Sequence, residues 1–263
     1  MATLEHLRQR KQQGEPPFAC LTAYDATFAR VIVESGVEAL LVGDTLGMVV
    51  QGHASTLPVR VSDIVYHLRA VARSKGDALL IADMPFMSAP DTATGLRSAA
   101  RAMRAGAECV KFEGGGAQMC ELVRACRVQG IPVCGHLGLN PQSVNVLGGY
   151  YVQGRDRTAA EGITAQALEL RQAGAQMLIL ECVPADLAGG IASELDIPVV
   201  GIGAGSRVDG QILVLHDLIG ITEKPPRFAR DFLAGADGIG DAVRRYVQAV
   251  REREFPAAEH SFS

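Results

Sequence analysis

Short apolar runs bounded by turn residues recur along the chain at residues 18–24, 39–44, 78–83, 109–113, 131–136, 177–182, 198–203 and 211–217. Each is apolar on both faces, the pattern of strands buried in a parallel sheet rather than half-exposed in an antiparallel one. Between them the period lengthens to that of a helix. The stretch 61–75 carries Ile64, Val65, Leu68 and Val71 on one stripe, with Ser62 placed as its cap. The stretch 91–104 opens on a capping aspartate and runs into Gly106, a suitable residue just past a helix end. Thr158 and Glu161 read as a capping box ahead of Ile163, Leu168 and Leu170. Eight repeats of strand and helix predict a closed (β/α)8 TIM barrel of the α/β class. Alternation by itself leaves an open doubly wound sheet as the alternative. A helix at residues 3–13 precedes the first strand and is expected to cover the barrel bottom. No linker divides the chain, so one domain is expected over 1–263, with 1–17 as helix and lead-in and 253–263 as a tail.

A second rhythm runs through the same repeats. A glycine ends a helix, an apolar strand follows, and a polar residue closes the strand: Gly36 leads to Asp44, Gly76 to Asp83, Gly106 to Glu113, Gly130 to His136 and Gly174 to Glu181. That places each polar residue at the C-terminal end of its strand, the rim where barrels carry their active sites. Side chains two apart share a strand face, so Asp44 groups with Val42, Asp83 with Ile81 and Glu113 with Lys111. A charge turned toward the helix layer would be buried unpaired, so all three acids are expected to face the mouth.

Three convergent carboxylates repel one another, and Lys111 alone cannot neutralise them. An all-oxygen donor set suits a hard divalent ion, Mg²⁺ first. A single such acid reads more simply as a helix cap or loop salt bridge; three at matched positions favour the metal. Glu181, followed by Cys182 and Val183, sits in an apolar setting that suits a general base. Spacing alone leaves it equally a structural acid paired with an arginine. His136 is a candidate to bond substrate or orient a neighbour, with a satisfied core histidine the competing reading; His53 and His216 are weaker candidates. The glycines of GIGAG at 201–205 suit either a backbone anion nest or tight packing. The long polar stretch 138–157 reads as a lid, a binding loop or an oligomer contact.

Composition narrows the function classes. A length of 263 residues suits one barrel of about 250. The net charge of −4 gives no electrostatic reason to bind nucleic acid or an anionic membrane. No run approaches the roughly 18 apolar residues of a spanning helix, and the polar N-terminus does not resemble a secretory signal. The six cysteines form no CxxC pair, and those in strand-like runs read as reduced apolar side chains of a cytoplasmic protein.

The stretches LTAYDATFA, LLVGDTLGMVVQGHASTLPV, IADMPFM, MRAGAECVKFEGG, VCGHLGLNPQSVNVLGGYYVQGR, LILECVP and IPVVGIGAGSRVDGQILVLHDLIGI, with the closing EHSF, run in order over about 18–262. Together they resemble the 3-methyl-2-oxobutanoate (ketopantoate) hydroxymethyltransferase family. The resemblance implies transfer of a hydroxymethyl group from 5,10-methylenetetrahydrofolate to 3-methyl-2-oxobutanoate, giving 2-dehydropantoate in pantothenate and coenzyme A biosynthesis, through a Mg²⁺-chelated enolate. It implies one Mg²⁺ per subunit held by Asp44, Asp83 and Glu113, contact of Lys111 with the 2-oxo acid, and Glu181 as the general base. Asp44, Thr45, Asp83 and Lys111 are the expected substrate contacts, joined by His136 from its place at the end of the fifth strand. Thr45 stands where the family usually has a substrate-binding serine; the hydroxyl is kept and a methyl is added. Ser263 stands where histidine is common. The resemblance identifies no folate-binding residue. It also implies a homo-oligomer, commonly a decamer built as a pentamer of dimers. The residues leave two other functions to compare: a Mg²⁺-dependent lyase of the phosphoenolpyruvate mutase and isocitrate lyase type, and a non-catalytic barrel that binds a 2-oxo acid. The first typically uses a reactive cysteine in a mobile loop, and 138–157 contains none. The second has no use for a base at Glu181.

Overall fold

A computed structural model describes residues 1–263. The eight apolar runs become strands β1 (Phe18–Thr22), β2 (Ala39–Val42), β3 (Leu79–Asp83), β4 (Cys109–Glu113), β5 (Val133–Gly138), β6 (Met177–Glu181), β7 (Val199–Ile202) and β8 (Gly210–Leu213). They pair in chain order, all parallel, and β8 returns to β1 to close a barrel. Helix α1 (Leu4–Gln12) comes first; α2 (Ala26–Glu34), α3 (Leu46–Val49), α4 (Val61–Ala72), α5 (Thr92–Arg104), α6 (Ala117–Val128), α7 (Val144–Leu147), α8 (Arg157–Ala173), α9 (Ala185–Glu194), α10 (Leu215–Leu218) and α11 (Ile239–Arg251) follow.

The period-2 geometry of the strands divides the core in two. Phe18, Cys20, Leu41, Ile81, Cys109, Cys134 and Ile179 fill the barrel interior, while a larger cluster that includes Leu21, Leu40, Val42, Leu80 and Leu180 packs between strands and helices. Leu7 of α1 is fully buried in the inner cluster and plugs the end opposite the acids. On α11, Tyr246 is fully buried, and its hydroxyl lies 2.9 Å from the carbonyl oxygens of both Cys20 and Gln211, across the β1–β8 seam. No helix is long and apolar enough to cross a membrane.

The helix starts differ from the expected ones. Ser62 lies inside α4; the helix begins one residue earlier, where the Asp63 carboxylate accepts the Arg60 backbone N–H at 2.9 Å. Thr158 lies inside α8, which Asp156 caps by accepting the Ala159 N–H at 2.9 Å, and Glu161 instead pairs with Arg157 at 2.7 Å. At α8 an aspartate's short carboxylate takes a first-turn N–H, whereas at α4 the Asp63 carboxylate reaches back to the N–H of the residue before the helix. Asp91 caps α5 as expected, and Gly106 follows it at φ 108°.

The eightfold alternation also breaks once. Between β7 and β8 there is no helix, only residues 203–209. Gly203 and Gly205, at φ 59° and 76°, turn the chain back, and Ala204 and Val208 are buried as part of the outer wall. The Asp209 carboxylate accepts the Val199 N–H at 2.8 Å and pairs with Lys11 at 2.7 Å. The return is direct, so the expected strand at 211–217 ends early and residues 215–218 form α10.

Candidate active site

The strand register sets the polar side chains side by side. Asp83 is level with Lys111, Glu113 with His136, and Glu181 with Gly138. Since Ile81, Cys109, Cys134 and Ile179 point inward, residues two further along, Asp83, Lys111, His136 and Glu181, point inward as well, and Glu113 follows Lys111.

Asp44 arrives by another route. Its supposed partner Val42 packs in the outer core, so continued alternation would have turned Asp44 away from the mouth. The pleat instead ends at Val42, and Asp44 swings inward, donating its backbone N–H to Asp83 Oδ2 at 3.1 Å. Asp44, Asp83, Lys111 and His136 are all buried, and the Glu113 side chain is 5% exposed. These groups, with Thr45, Glu181 and Pro141, line one cavity of about 50 Å³. A larger hollow of about 320 Å³ lies at the opposite end around Arg8, Arg127 and Arg171 and contains none of the strand-end acids.

Electrostatics in the cavity are strongly perturbed. The Lys111 ammonium sits 2.8 Å from Asp83 and 3.7 Å from Glu113. Burial works against its charge, but Asp83, Glu113 and Asp44 more than restore it, and its pKa lies above the ordinary lysine value. Burial, then repulsion from Asp83, pushes the Asp44 carboxyl well above the usual range. Glu113 is also opposed by burial, yet His136 and Lys111 hold it below its ordinary value. His136 reaches toward Glu181 with Nε2 at 3.2 Å and toward Glu113 with Nδ1 at 3.5 Å, but neither contact meets hydrogen-bond geometry.

As arranged, no three His, Cys, Asp or Glu side chains close on a common point, and the Lys111 ammonium lies among the acids. The donor chemistry nonetheless fits a hard cation. Asp83 Oδ1 and Glu113 Oε1 are buried without a hydrogen bond, although Lys111 and His136 flank Glu113 Oε1 at ion-pair distance, and such oxygens suit a divalent ion.

One contact was absent from the sequence reading. Gln142, in a 3₁₀ turn (Pro141–Ser143), donates Nε2 to Asp44 Oδ2 at 2.9 Å and to the Met84 carbonyl at 3.0 Å. Its backbone N–H reaches Glu113 Oε2 at 3.1 Å. The stretch 138–157 therefore does cover the mouth, but nothing in a polar NPQS run marks which side chain turns inward. His53 is exposed, and His216 lies on α10 beside Tyr24, so neither joins the cavity. Gly203 and Gly205 pack against Phe228, Phe262 and Ala185, the tight-packing reading of GIGAG.

Residues 1–258 match the family described as ketopantoate hydroxymethyltransferase. The 3-methyl-2-oxobutanoate hydroxymethyltransferase of Sodalis glossinidius (strain morsitans) is 55% identical over 263 residues, the whole of both chains. That of Chromohalobacter salexigens is 56% identical over 261 residues, 99% of this chain and 98% of the relative. The chain belongs to the ketopantoate hydroxymethyltransferase family. A probable 3-methyl-2-oxobutanoate hydroxymethyltransferase of Schizosaccharomyces pombe shares 50% identity over 99% of this chain and 97% of its own length. The fold of this ketopantoate hydroxymethyltransferase family member extends further. Phosphonopyruvate hydrolase in complex with oxalate and Mg²⁺ superposes with a TM-score of 0.63 at 14% identity, covering 99% of this chain and 93% of that one. For 2,3-dimethylmalate lyase the TM-score is 0.60 at 18% identity, over 81% of each chain. Likeness at that identity shows a shared barrel and nothing about chemistry.

Proposed function

We propose that the protein transfers a hydroxymethyl group from 5,10-methylenetetrahydrofolate to 3-methyl-2-oxobutanoate, giving 2-dehydropantoate and tetrahydrofolate for pantothenate and coenzyme A synthesis. The observation that carries the site reading is the set of buried acids at consecutive strand ends, with Lys111 among them and Glu181 facing the same cavity. Asp44, Asp83 and Glu113 would hold one Mg²⁺. When bound, such an ion supplies Lewis acidity that favours negative charge on the keto oxygen of the substrate.

The chain's own groups do the rest. Lys111, firmly protonated, offers a positive charge to the 2-oxo acid without leaving Asp83. Thr45 lines the same cavity and presents a hydroxyl to the substrate. Glu181, with 15% of its side chain exposed, takes the C3 proton while His136 beside it steadies the carboxylate. Water adds to the folate's one-carbon unit, both of its carbon–nitrogen bonds break with the two nitrogens taking the water's protons, and the freed carbon leaves as formaldehyde. The nucleophilic C3 carbon bonds to it, and its oxygen takes back the proton held by Glu181 to become the hydroxyl. Pro141 lines the cavity and Gln142 reaches over it to Asp44, which limits the access of bulk water without abolishing it.

All six cysteines are buried and unpaired, which supports a reducing, cytoplasmic setting. We infer a homo-oligomer, a decamer built as a pentamer of dimers; large apolar side chains left exposed, such as Tyr66 and Met87, support an interface between copies.

Proton NMR of 3-methyl-2-oxobutanoate in D₂O tests the reading. Mg²⁺-dependent loss of the C3–H signal is expected, with or without tetrahydrofolate. Bound substrate that shows no exchange under either condition would remove Glu181 from its role.

A further inference from the structure

The three acids share a restraint pattern. Asp83 Oδ2 accepts from the Asp44 N–H at 3.1 Å and from Lys111 Nζ at 2.8 Å, while Oδ1 is buried and unpartnered. Glu113 Oε2 accepts from the Gln142 N–H at 3.1 Å, while Oε1 makes no hydrogen bond. Asp44 Oδ2 accepts from Gln142 Nε2 at 2.9 Å. Each carboxylate is thus tied to the protein through one oxygen, and Gln142 supplies the tie for two of the three.

The placement of Gln142 is over-determined. At Gly138 the backbone has φ 94°, and a Cβ there would come within 2.2 Å of the Glu181 carbonyl oxygen, so only glycine allows the turn. The next residue, Leu139, is buried and donates its N–H to that same carbonyl at 2.8 Å. Pro141 then opens the 3₁₀ turn over the cavity. Both partners of Gln142 Nε2 are acceptors, so only the amino end of the amide fits between Asp44 and Met84.

We propose that Gln142 is a positioning residue for hydroxymethyl transfer: it holds the Asp44 and Glu113 carboxylates so that their free oxygens are presented together to a divalent cation. The inference rests on the reading that these acids bind such an ion. Without the amide, Asp44 has no side-chain donor against its neighbours' repulsion and is free to rotate away. Residues that orient metal ligands in this way typically contribute roughly 10–100-fold to metal affinity. Because the Glu113 tie comes from the backbone and survives side-chain removal, the lower end is expected here.

The test is titration of Mn²⁺ into the substrate-free full-length protein, following free Mn²⁺ by EPR, for the wild type and Gln142→Ala. The variant should bind Mn²⁺ about tenfold more weakly. Its KM for the 2-oxo acid should rise at limiting metal, and kcat should return at saturating metal, a split that a purely structural role would not produce. Gln142→Asn, which keeps the amide one methylene short, should fall between the two, and it carries the same measurement if Gln142→Ala does not fold. Equal Mn²⁺ affinity in wild type and variant overturns the positioning role while leaving the metal site intact. A wild type that binds no Mn²⁺ overturns both.

Discussion

Nε2 of His136 lies 3.2 Å from the carboxylate of Glu181, and on its other side Nδ1 lies 3.5 Å from Glu113. The ring therefore bridges the expected base and an expected ion ligand. Burial and the nearby Lys111 disfavour its charge, but the two carboxylates prevail and raise its pKa to about 9. A histidine raised above its unfolded value of about 6.5 stabilises the fold fully below that pH, and the contribution is lost as pH rises through about 9. Metal-free protein should accordingly melt lower at about pH 9.5 than at pH 7, and His136→Asn should flatten the difference. Thermal melts in EDTA across that window check this; an unaltered slope in the variant would remove His136 as its source.

Glu181→Gln should keep its affinity for Mg²⁺ and for 3-methyl-2-oxobutanoate, because Asp44, Asp83 and Glu113 are untouched. C3–H exchange should fall by about 10²–10⁴-fold, the usual contribution of a positioned general base. Calorimetry and NMR on the same preparation separate the two effects, and exchange at the wild-type rate would exclude Glu181 as the base.

Asp83→Ala removes the acceptor for both the Asp44 N–H and Lys111. Metal-dependent binding of the 2-oxo acid should disappear. Stability should also fall, but by less than the roughly 3–5 kcal/mol of breaking an isolated buried ion pair, because Glu113 stays 3.7 Å from Lys111 and repulsion on Asp44 is relieved, as read from urea unfolding. Wild-type 2-oxo acid affinity in this variant would contradict ligation through Asp83.

Thr45 separates the role of its hydroxyl from that of its methyl. Thr45→Ser should leave KM nearly unchanged. Thr45→Val keeps the shape but removes the hydroxyl from the cavity wall, and losing such a partner costs about 1–3 kcal/mol, so KM should rise about tenfold or more. Steady-state kinetics on both variants decide it, and a Val variant as good as wild type would show that Thr45 makes no polar contact with substrate.

Gly138→Ala puts a methyl group against the Glu181 carbonyl in a left-handed conformation. Strain of that kind costs about 1–3 kcal/mol, and here relief requires moving the end of β6. A lower melting temperature together with slower C3–H exchange is expected; lost stability with undiminished exchange would show that Glu181 is not positioned through this contact.

The sequence carried more of the barrel than of its mouth. Where the strand ran unbroken through its polar residue, period-2 alternation oriented it correctly, as for Asp83 and Glu113. Asp44 reached the mouth although the alternation argument pointed through the wrong neighbour, because β2 stops two residues short of it. Helix faces were legible from their apolar stripes, but their first turns were not. At the start of α8 both Asp156 and Thr158 were able to cap and geometry chose the aspartate, while α4 starts at Val61 with no side chain capping its first turn. Gln142 was invisible because its position follows from the φ of Gly138 and from three partners at or just beyond the ends of β2, β3 and β4, none of which is encoded by local spacing.

The seam that Tyr246 spans has a consequence for how the chain reaches this state. Closing the barrel pairs Phe18 with Gly210, and the side chain that buttresses the join comes from α11. Contacts that distant carry a large loop-closure entropy and form late and slowly. Until α11 docks, β1 and β8 are open strand edges, surfaces that readily pair with other chains. Docking of the C-terminal helix buttresses that seam, so lesions near Tyr246 should reduce soluble yield before they alter catalysis.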